Sequence, residues 1–165
     1  MKGEDVMKYQ LPAYNEIPNI GLYLDQVTKY INTHIEPITH TTVTNSMISN
    51  YVKKGMVENP IKKLYYRDQI AYLLYINIAK QVMTLENMQI LFDIIKEKYE
   101  NRNAYEYLCI EFNNAIEYVF HEKDELDPIT DDYSQGRILL RNTVMAMAHK
   151  IYLDYCFENL KNNDL

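Results

Sequence analysis

The chain has 165 residues, of which 47% are hydrophobic and 24% charged, a composition typical of a folded globular protein and unlike a disordered chain. Four glycines and five prolines are too few for an all-β sandwich, and no apolar stretch approaches the roughly 18–20 residues that cross a membrane. The net charge is −6, and the two cysteines, Cys109 and Cys156, form no CxxC pair, so we expect a reducing, cytoplasmic environment.

The N-terminal part divides into an arm and a first helix. Residues 1–18 contain Pro12 and Pro18 and show no helical period, which favours an extended N-terminal arm. Asn19 is a suitable N-cap for the segment that follows. Apolar residues recur there at helical spacing, namely Ile20, Tyr23, Leu24, Val27, Tyr30 and Ile31. This pattern predicts a first helix that ends shortly before Pro37.

A second, short helix is predicted from Thr44 or Asn45, either of which can act as N-cap, to about Lys54. Its buried side consists of four apolar positions: Met47, Ile48, Tyr51 and Val52. Its outward side carries polar residues and one lysine: Asn45, Ser46, Ser49, Asn50 and Lys53. Gly55 follows where a left-handed residue ends a helix without steric cost.

The remaining pattern is helical apart from one predicted hairpin. Pro60 excludes a helix interior within Glu58–Tyr66, and two lysines at its centre favour a short β-hairpin. Further helices are predicted to begin at Arg67 or Asp68 and at Thr84, then to run from Tyr105 to Phe120 and, after an acidic loop at 122–132, from Arg137 to Leu160. We therefore predict a mostly α fold with three parts: an arm at 1–18, a winged helix-turn-helix at 19–98, and a helical module at 99–165.

Positive charge is concentrated in one short part of an otherwise acidic chain. Residues 41–67 hold five basic residues and one acidic residue, a local charge of +4, whereas residues 100–165 carry −7. Clusters of lysine and arginine attract backbone phosphates, so nucleic acid is one explanation of the pattern. An ordinary solvated surface is the other.

The order of helix, short helix, glycine turn, basic hairpin and two more helices is typical of a winged helix-turn-helix. The run from Val43 to Val57 resembles the recognition helix of MerR-type regulators, Lys63–Ile70 resembles their wing exit, and Thr84–Met88 resembles the start of their next helix. The runs IPNIGLYLDQVTKYIN, SMISNYVKKG and YRDQIAYLLYI are similar to a bacterial family, found mainly in Firmicutes, that is known as domain-of-unknown-function family eighteen thirty-six. The resemblance implies a DNA-binding transcriptional regulator that works as a homodimer.

Double-stranded DNA is accordingly the expected partner. The residues expected to contact it lie on the short helix and the hairpin: Thr44, Asn45, Ser46, Ser49, Asn50, Lys53, Lys54, Lys62, Lys63, Tyr65 and Arg67. Asn50 is the best candidate for a base contact, because asparagine can form two hydrogen bonds to adenine. The wide apolar arc of the last helix, which includes Met145 and Phe157, is expected to be buried within the chain or against a second copy.

Other interpretations of the same residues stay open. Ser46, Ser49 and Asn50 are also ordinary solvent-facing helix residues, and Lys62 and Lys63 are also suited to protecting an exposed strand edge. The fold could serve as a protein–protein adaptor, or as a sensor that binds an unidentified effector among the tyrosines of the C-terminal helices. We expect no enzyme, cofactor or metal, since the sequence lacks a phosphate-cradling glycine loop, a nucleophile motif and a metal-ligand spacing.

Overall fold

A computed structural model describes residues 3–129 and 134–163 of the chain. Within these ranges the backbone forms seven α-helices and one short 3-10 turn at Tyr14–Glu16. The helices are α1 (Gly3–Met7), α2 (Leu24–Thr39), α3 (Asn45–Lys53), α4 (Arg67–Ala79), α5 (Leu85–Lys96), α6 (Asn101–Val119) and α7 (Gln135–Asn163). None of the helices in the described ranges is both long and apolar enough to cross a membrane.

Helix α4 is the centre of the molecule. Every residue from Gln69 to Ala79 except Tyr72 is buried, because α4 is apolar around most of its circumference. It contacts α2 on one side and α5, α6 and α7 on the others. The buried side chains of all these helices form one continuous core.

Helices α6 and α7 lie side by side and run in the same direction. Contacts between them advance together along both helices: the Arg137 guanidinium lies 4.5 Å from the centre of the Tyr107 ring, and the Phe120 and Tyr152 rings are 5.1 Å apart. Between these contacts Arg141 donates two hydrogen bonds of 2.8 Å to the buried carboxylate of Glu111. The part of α7 after Ile151 continues past the end of α6.

The capping residues predicted from the sequence mark the ends of α3 and the start of α5 correctly. The Thr44 side chain accepts a hydrogen bond from the Met47 amide, and that of Thr84 accepts one from the Asn87 amide, so both threonines are N-caps. Gly55 has φ +75°, as expected for a residue that ends α3 in the left-handed conformation. Ile48 and Tyr51 are buried, whereas Ser46, Ser49 and Asn50 are exposed.

The limits predicted for the first helix are wrong at both ends. The N-cap of α2 is Tyr23 rather than Asn19, so Ile20 precedes the helix and is exposed. At the other end α2 continues through Pro37 to Thr39, and His40 ends it with φ +52°. Pro37 has no amide hydrogen to donate to the Thr33 carbonyl, so α2 contains this residue at the cost of one hydrogen bond and ends two residues later. The connection to α3 is therefore short.

The N-terminal arm is not extended throughout. Gly3–Met7 forms a short helix, and the 3-10 turn at Tyr14–Glu16 interrupts the extended segment after it. Leu11 and Ile17 are buried, and the Tyr105 hydroxyl donates a 2.8 Å hydrogen bond to the Pro12 carbonyl. The arm is therefore held against the helical core by α6.

The predicted β-hairpin wing is wrong. The described residues form no strand, and pairing is limited to two isolated antiparallel bridges, Leu22 with Tyr65 and Ile61 with Leu64. Pro60 lacks an amide donor, so it cannot extend the Ile61–Leu64 pair into a ladder. After Tyr65 the chain enters α4 directly, because Tyr66 is the N-cap of that helix. A tight turn therefore stands where the wing was expected, and the fold is mostly α without it. Residues 130–132 of the predicted acidic loop lie outside the described residues.

Candidate nucleic-acid interface

The polar face of α3, defined as Ser46, Ser49, Asn50 and Lys53, is exposed to solvent. These four side chains and Asn45 border a shallow depression on the surface. They occupy it because Ile48 and Tyr51 on the opposite side of α3 are buried in the core. Small polar groups on a short exposed helix are chemically able to reach base edges in a major groove.

Asn45 is held by helix α2. Its side-chain amide donates to the Asp25 carboxylate, and its oxygen accepts a 2.5 Å hydrogen bond from the Thr28 hydroxyl. Both groups of the Asn45 side chain are therefore used to fix the start of α3 against the first turns of α2. Asn45 serves as a support of the interface, and its sequence position among polar residues gave no sign of this.

The lysine turn, defined as residues 61–64, carries Lys62 and Lys63 at its tip. Ile61 and Leu64 exchange two backbone hydrogen bonds of 2.9 and 3.0 Å, which close the turn. Lys62 has φ +50° and Lys63 has φ +68°. Two successive positive φ angles are typical of a type I′ turn, for which asparagine and glycine are the ordinary residues. Both lysine side chains are exposed.

The lysine turn and the start of α3 adjoin the same end of α2. Tyr65, next to the turn, exchanges backbone hydrogen bonds of 2.8 and 2.9 Å with Leu22, just ahead of α2. Gly21 has φ +82°, and a side chain there would lie 3.1 Å from Leu64. Asp25, which holds Asn45, is in the first turn of α2. The segment from Gly21 to Asp25 thus links the two predicted contact regions.

Two of the predicted DNA-contacting residues are engaged by contacts within the protein. The Tyr65 side chain is buried, and burial raises its pKa. The Arg67 guanidinium donates to the carbonyls of Ile17 and Asn15, at 2.8 and 3.3 Å, and lies over the Tyr14 ring. Arg67 therefore fastens the N-terminal arm to α4. Both residues belong to the positive segment of the sequence, and only tertiary contacts distinguish them from the exposed lysines.

The other predicted contact residues are on the surface. Thr44, Lys53, Lys54, Lys62 and Lys63 are exposed, although the Thr44 hydroxyl is engaged as the N-cap of α3. Within the described parts of the chain, none of the four lysines forms an ion pair. Their charges are consequently free to act on an external anion.

Sequence reasoning did not find a set of exposed apolar side chains near the lysine turn. Ile20 is 84% exposed, Ile61 63% and Tyr23 58%. Ile61 is part of the turn, and Ile20 and Tyr23 flank the Gly21–Leu22 segment that pairs with its base. The sequence pattern instead counted Ile20 and Tyr23 in the buried stripe of a helix that begins only at Leu24.

Comparison with known families identifies the class to which this chain belongs. The model of the family described as Domain of unknown function (DUF1836) matches residues 12–116, which include α2, α3, the lysine turn, α4 and α5. The chain is a member of that family. No curated protein and no solved structure matches the chain.

Proposed function

We propose that this protein is a DNA-binding transcriptional regulator. The polar face of α3 contacts the bases of double-stranded DNA, and the lysine turn contacts the phosphate backbone. The observation that carries the proposal is the pairing of an exposed polar helix face with two exposed lysines held at the same end of α2. We also propose a bacterial, Firmicute origin and a MerR-like recognition helix, as the sequence motifs imply. In this protein a tight turn takes the place of the wing of those regulators.

The distribution of charge supports this orientation. Lys53, Lys54, Lys62 and Lys63 are exposed, and Glu58 is the one acidic residue within 41–67. The segment 100–165, by contrast, carries −7 and would be repelled by phosphates. A duplex would therefore approach from the side of α3, with α6 and α7 turned away.

The backbone of the lysine turn supports a role for its side chains. A left-handed conformation costs a non-glycine residue roughly 1–2 kcal/mol. Lys62 and Lys63 both adopt it, although glycine or asparagine would form the same turn with less strain. Strain of this kind persists where the side chain contributes something else, and here that contribution is two positive charges at an exposed tip.

The residues divide into two roles. Asn50 is the proposed base-reading residue, assisted by Ser46 and Ser49, because hydroxyl and amide groups recognise base edges. Lys53, Lys54, Lys62 and Lys63 are the proposed phosphate contacts, which set affinity without reading sequence. Thr44 and Asn45 hold the helix in place.

A selection from random duplexes with the purified full-length protein tests the proposal, followed by fluorescence anisotropy on the selected sequence at several salt concentrations. Removing one lysine–phosphate interaction should reduce the salt slope by about 0.9. The double change Lys62→Glu and Lys63→Glu should abolish binding to specific and random duplexes alike. The matched control is Lys8→Glu with Lys98→Glu, which changes the net charge equally at two other exposed lysines. Equal weakening in the two double variants would show that only net charge matters and would reject the lysine turn as a contact.

The base-reading role of Asn50 is tested separately. Asn50→Ala should cost about 1–3 kcal/mol on the selected duplex and little on a random one. Because Asn50 is exposed, the urea unfolding midpoint of this variant should not change. Equal weakening on both duplexes would remove Asn50 from the sequence-reading set.

A protein–protein adaptor is the second candidate function, and a specific feature favours it. Ile20, Tyr23 and Ile61 expose apolar surface beside the lysine turn, a combination suited to an acidic amphipathic partner. Replacing Ile20 and Tyr23, which both lie outside the lysine turn, together with Ser should leave duplex affinity unchanged if DNA is the partner. Loss of a protein partner in the same variant, with no selected duplex, would favour the adaptor.

A further inference from the structure

Three polar side chains on one face of α2 hold the start of α3. Asp25, Thr28 and Asn32 lie at i, i+3 and i+7, which places them on the same side of the helix. The Asn32 amide donates to the Val43 carbonyl at 2.9 Å, and its oxygen accepts from the Val43 amide at 2.7 Å. Asp25 and Thr28 bond the nitrogen and the oxygen of the Asn45 side chain. The clasp, defined as Asp25, Thr28 and Asn32, therefore fixes the two residues that flank the N-cap of α3.

Asp25 differs from the rest of the clasp in its charge and its exposure. Thr28 and Asn32 are neutral and half-buried, whereas Asp25 is exposed. Among the described residues, no lysine or arginine forms an ion pair with its carboxylate. Its partner Asn45 borders the depression at the polar face of α3. An unneutralised negative charge therefore lies at the edge of the surface proposed to face DNA, where phosphates would repel it.

The carboxylate has an effect that compensates for this repulsion. An ionised acceptor forms a stronger hydrogen bond than a neutral oxygen does, and Asp25 directs that bond at Asn45, the first residue of α3. Hydrogen bonds to base edges weaken steeply when their angles change. A firmer hold on the start of α3 therefore favours the one orientation in which Asn50 meets a matching base, and it does little for contacts to phosphates.

We propose that Asp25 is a specificity-determining positioning residue, which orients α3 through Asn45 while its charge weakens the attraction of the protein to any duplex. The inference rests on the proposed contact between α3 and bases. It adds a residue that acts through Asn45 rather than on DNA. The carboxylate thereby raises the ratio of the affinity for the selected duplex to the affinity for a random one.

Two substitutions separate the charge of Asp25 from its hydrogen bond. Asp25→Asn removes the charge and keeps an oxygen that can accept from Asn45, whereas Asp25→Ala removes both. The matched controls are Asp93→Asn and Asp93→Ala, because Asp93 is an exposed carboxylate on α5 that accepts an amide hydrogen bond of 2.9 Å from Gln89. Fluorescence anisotropy of the full-length variants on the selected duplex and on a random one gives the two affinities.

Both Asp25 variants should bind the random duplex roughly two- to fivefold more tightly, because one repulsive charge is removed. The ratio of selected to random affinity should fall roughly five- to tenfold in Asp25→Ala and by less in Asp25→Asn. A residue that only stabilised the fold would not raise one affinity while lowering this ratio. An unchanged ratio in Asp25→Ala, or a random-duplex affinity no higher than in the Asp93 controls, would overturn the proposal.

Hydrogen exchange without DNA tests the clasp separately from the proposed function. The Met47 amide donates to the Thr44 side chain, so its exchange rate reports local opening at the start of α3. This rate should rise roughly five- to tenfold in Asp25→Ala and stay unchanged in the Asp93 controls. An unchanged rate in Asp25→Ala would overturn the positioning role. Absence of duplex binding by the unmodified protein would instead reject the proposed function, and the specificity role with it.

Discussion

The Tyr51 hydroxyl on α3 donates a 3.2 Å hydrogen bond to the side-chain oxygen of Asn77 on α4. Asn77 is fully buried, and its amide nitrogen donates to the Leu73 carbonyl at 2.8 Å. The Lys80 ammonium also contacts this pair, at 3.0 Å from the Asn77 oxygen and 3.4 Å from the Tyr51 hydroxyl. Since buried polar groups are costly unless paired, this cluster favours one orientation of α3 on the core.

Removal of the Tyr51 hydroxyl is expected to loosen α3 without unfolding the protein. Tyr51→Phe should lower the free energy of unfolding by roughly 1–2 kcal/mol, because the hydrogen bond to Asn77 and the longer one from Lys80 are both removed while Lys80 still pairs with Asn77. Urea denaturation followed by circular dichroism gives the value. Tyr23→Phe is the control, because it removes the hydroxyl of an exposed ring. Its free energy of unfolding should not change. If Tyr51→Phe is as stable as the control, the hydrogen bond does not hold α3.

One substitution in the lysine turn can separate the effect of backbone strain on stability from the effect of positive charge on DNA binding. Lys63→Gly relieves the positive φ of +68° and should leave the free energy of unfolding unchanged or raise it by up to about 1 kcal/mol. The same variant lacks one positive charge and should bind duplex DNA more weakly, with a smaller salt slope. Urea denaturation and fluorescence anisotropy measure the two effects. Stabilisation with undiminished duplex affinity would show that the Lys63 charge is not used.

Half-buried tyrosines predict a decrease of stability at alkaline pH. Burial is the main cause that raises the pKa of Tyr30 and Tyr72 to about 12, above the ordinary value of 10.0. Below about pH 10 both folded and unfolded chains keep these protons. Between about pH 10 and about pH 12 the unfolded chain loses them first, so the free energy of unfolding should fall. Urea midpoints from about pH 8 to about pH 11 measure the fall, and Tyr72→Phe should make it smaller. A flat profile above pH 10 would contradict the prediction.

Local signals in the sequence were sufficient for the helices and insufficient for the contacts between them. Thr44 and Gly55 mark the ends of α3 because capping depends on neighbouring residues alone. The wing was wrong because Tyr65 pairs with Leu22, which is distant in the sequence, and not with a second hairpin strand. The contact of Arg67 with the N-terminal arm was not visible in the sequence for a similar reason, since its partners are carbonyls about 50 residues earlier.

Contacts between helices in the interior could not be predicted from the sequence either. The bidentate ion pair between Glu111 and Arg141 joins α6 to α7, and nothing in the spacing of either helix marks these two residues. Tyr72, Tyr75 and Tyr105, which line a small cavity between α4, α5 and α6, have the spacing of core residues in the sequence. Only the packing of these helices shows the cavity. A periodic pattern predicts which face of a helix is buried, but not how well that face fits its neighbours.

The final part of α7 predicts association of two copies of the chain. Leu153, Phe157 and Leu160 are each more than half exposed and lie at i, i+4 and i+7, which places them on one face of the helix. Helix α6 ends at Val119, before α7 reaches this stripe, so α6 does not cover it. A second copy related by a two-fold axis would bury the stripe against itself.

Light scattering at micromolar concentration and without DNA should give twice the chain mass of 19.6 kDa. Phe157→Glu should convert the dimer to a monomer, because a charge cannot be buried there without a partner. Ile110→Glu is the matched control, since Ile110 is also large and exposed but lies on α6, and this variant should remain dimeric. A dimer spaces two recognition helices for two half-sites, so Phe157→Glu should also bind a palindromic duplex more weakly than the unmodified chain does. A mass near 19.6 kDa for the unmodified chain would remove the dimer, and with it the expectation of a palindromic operator.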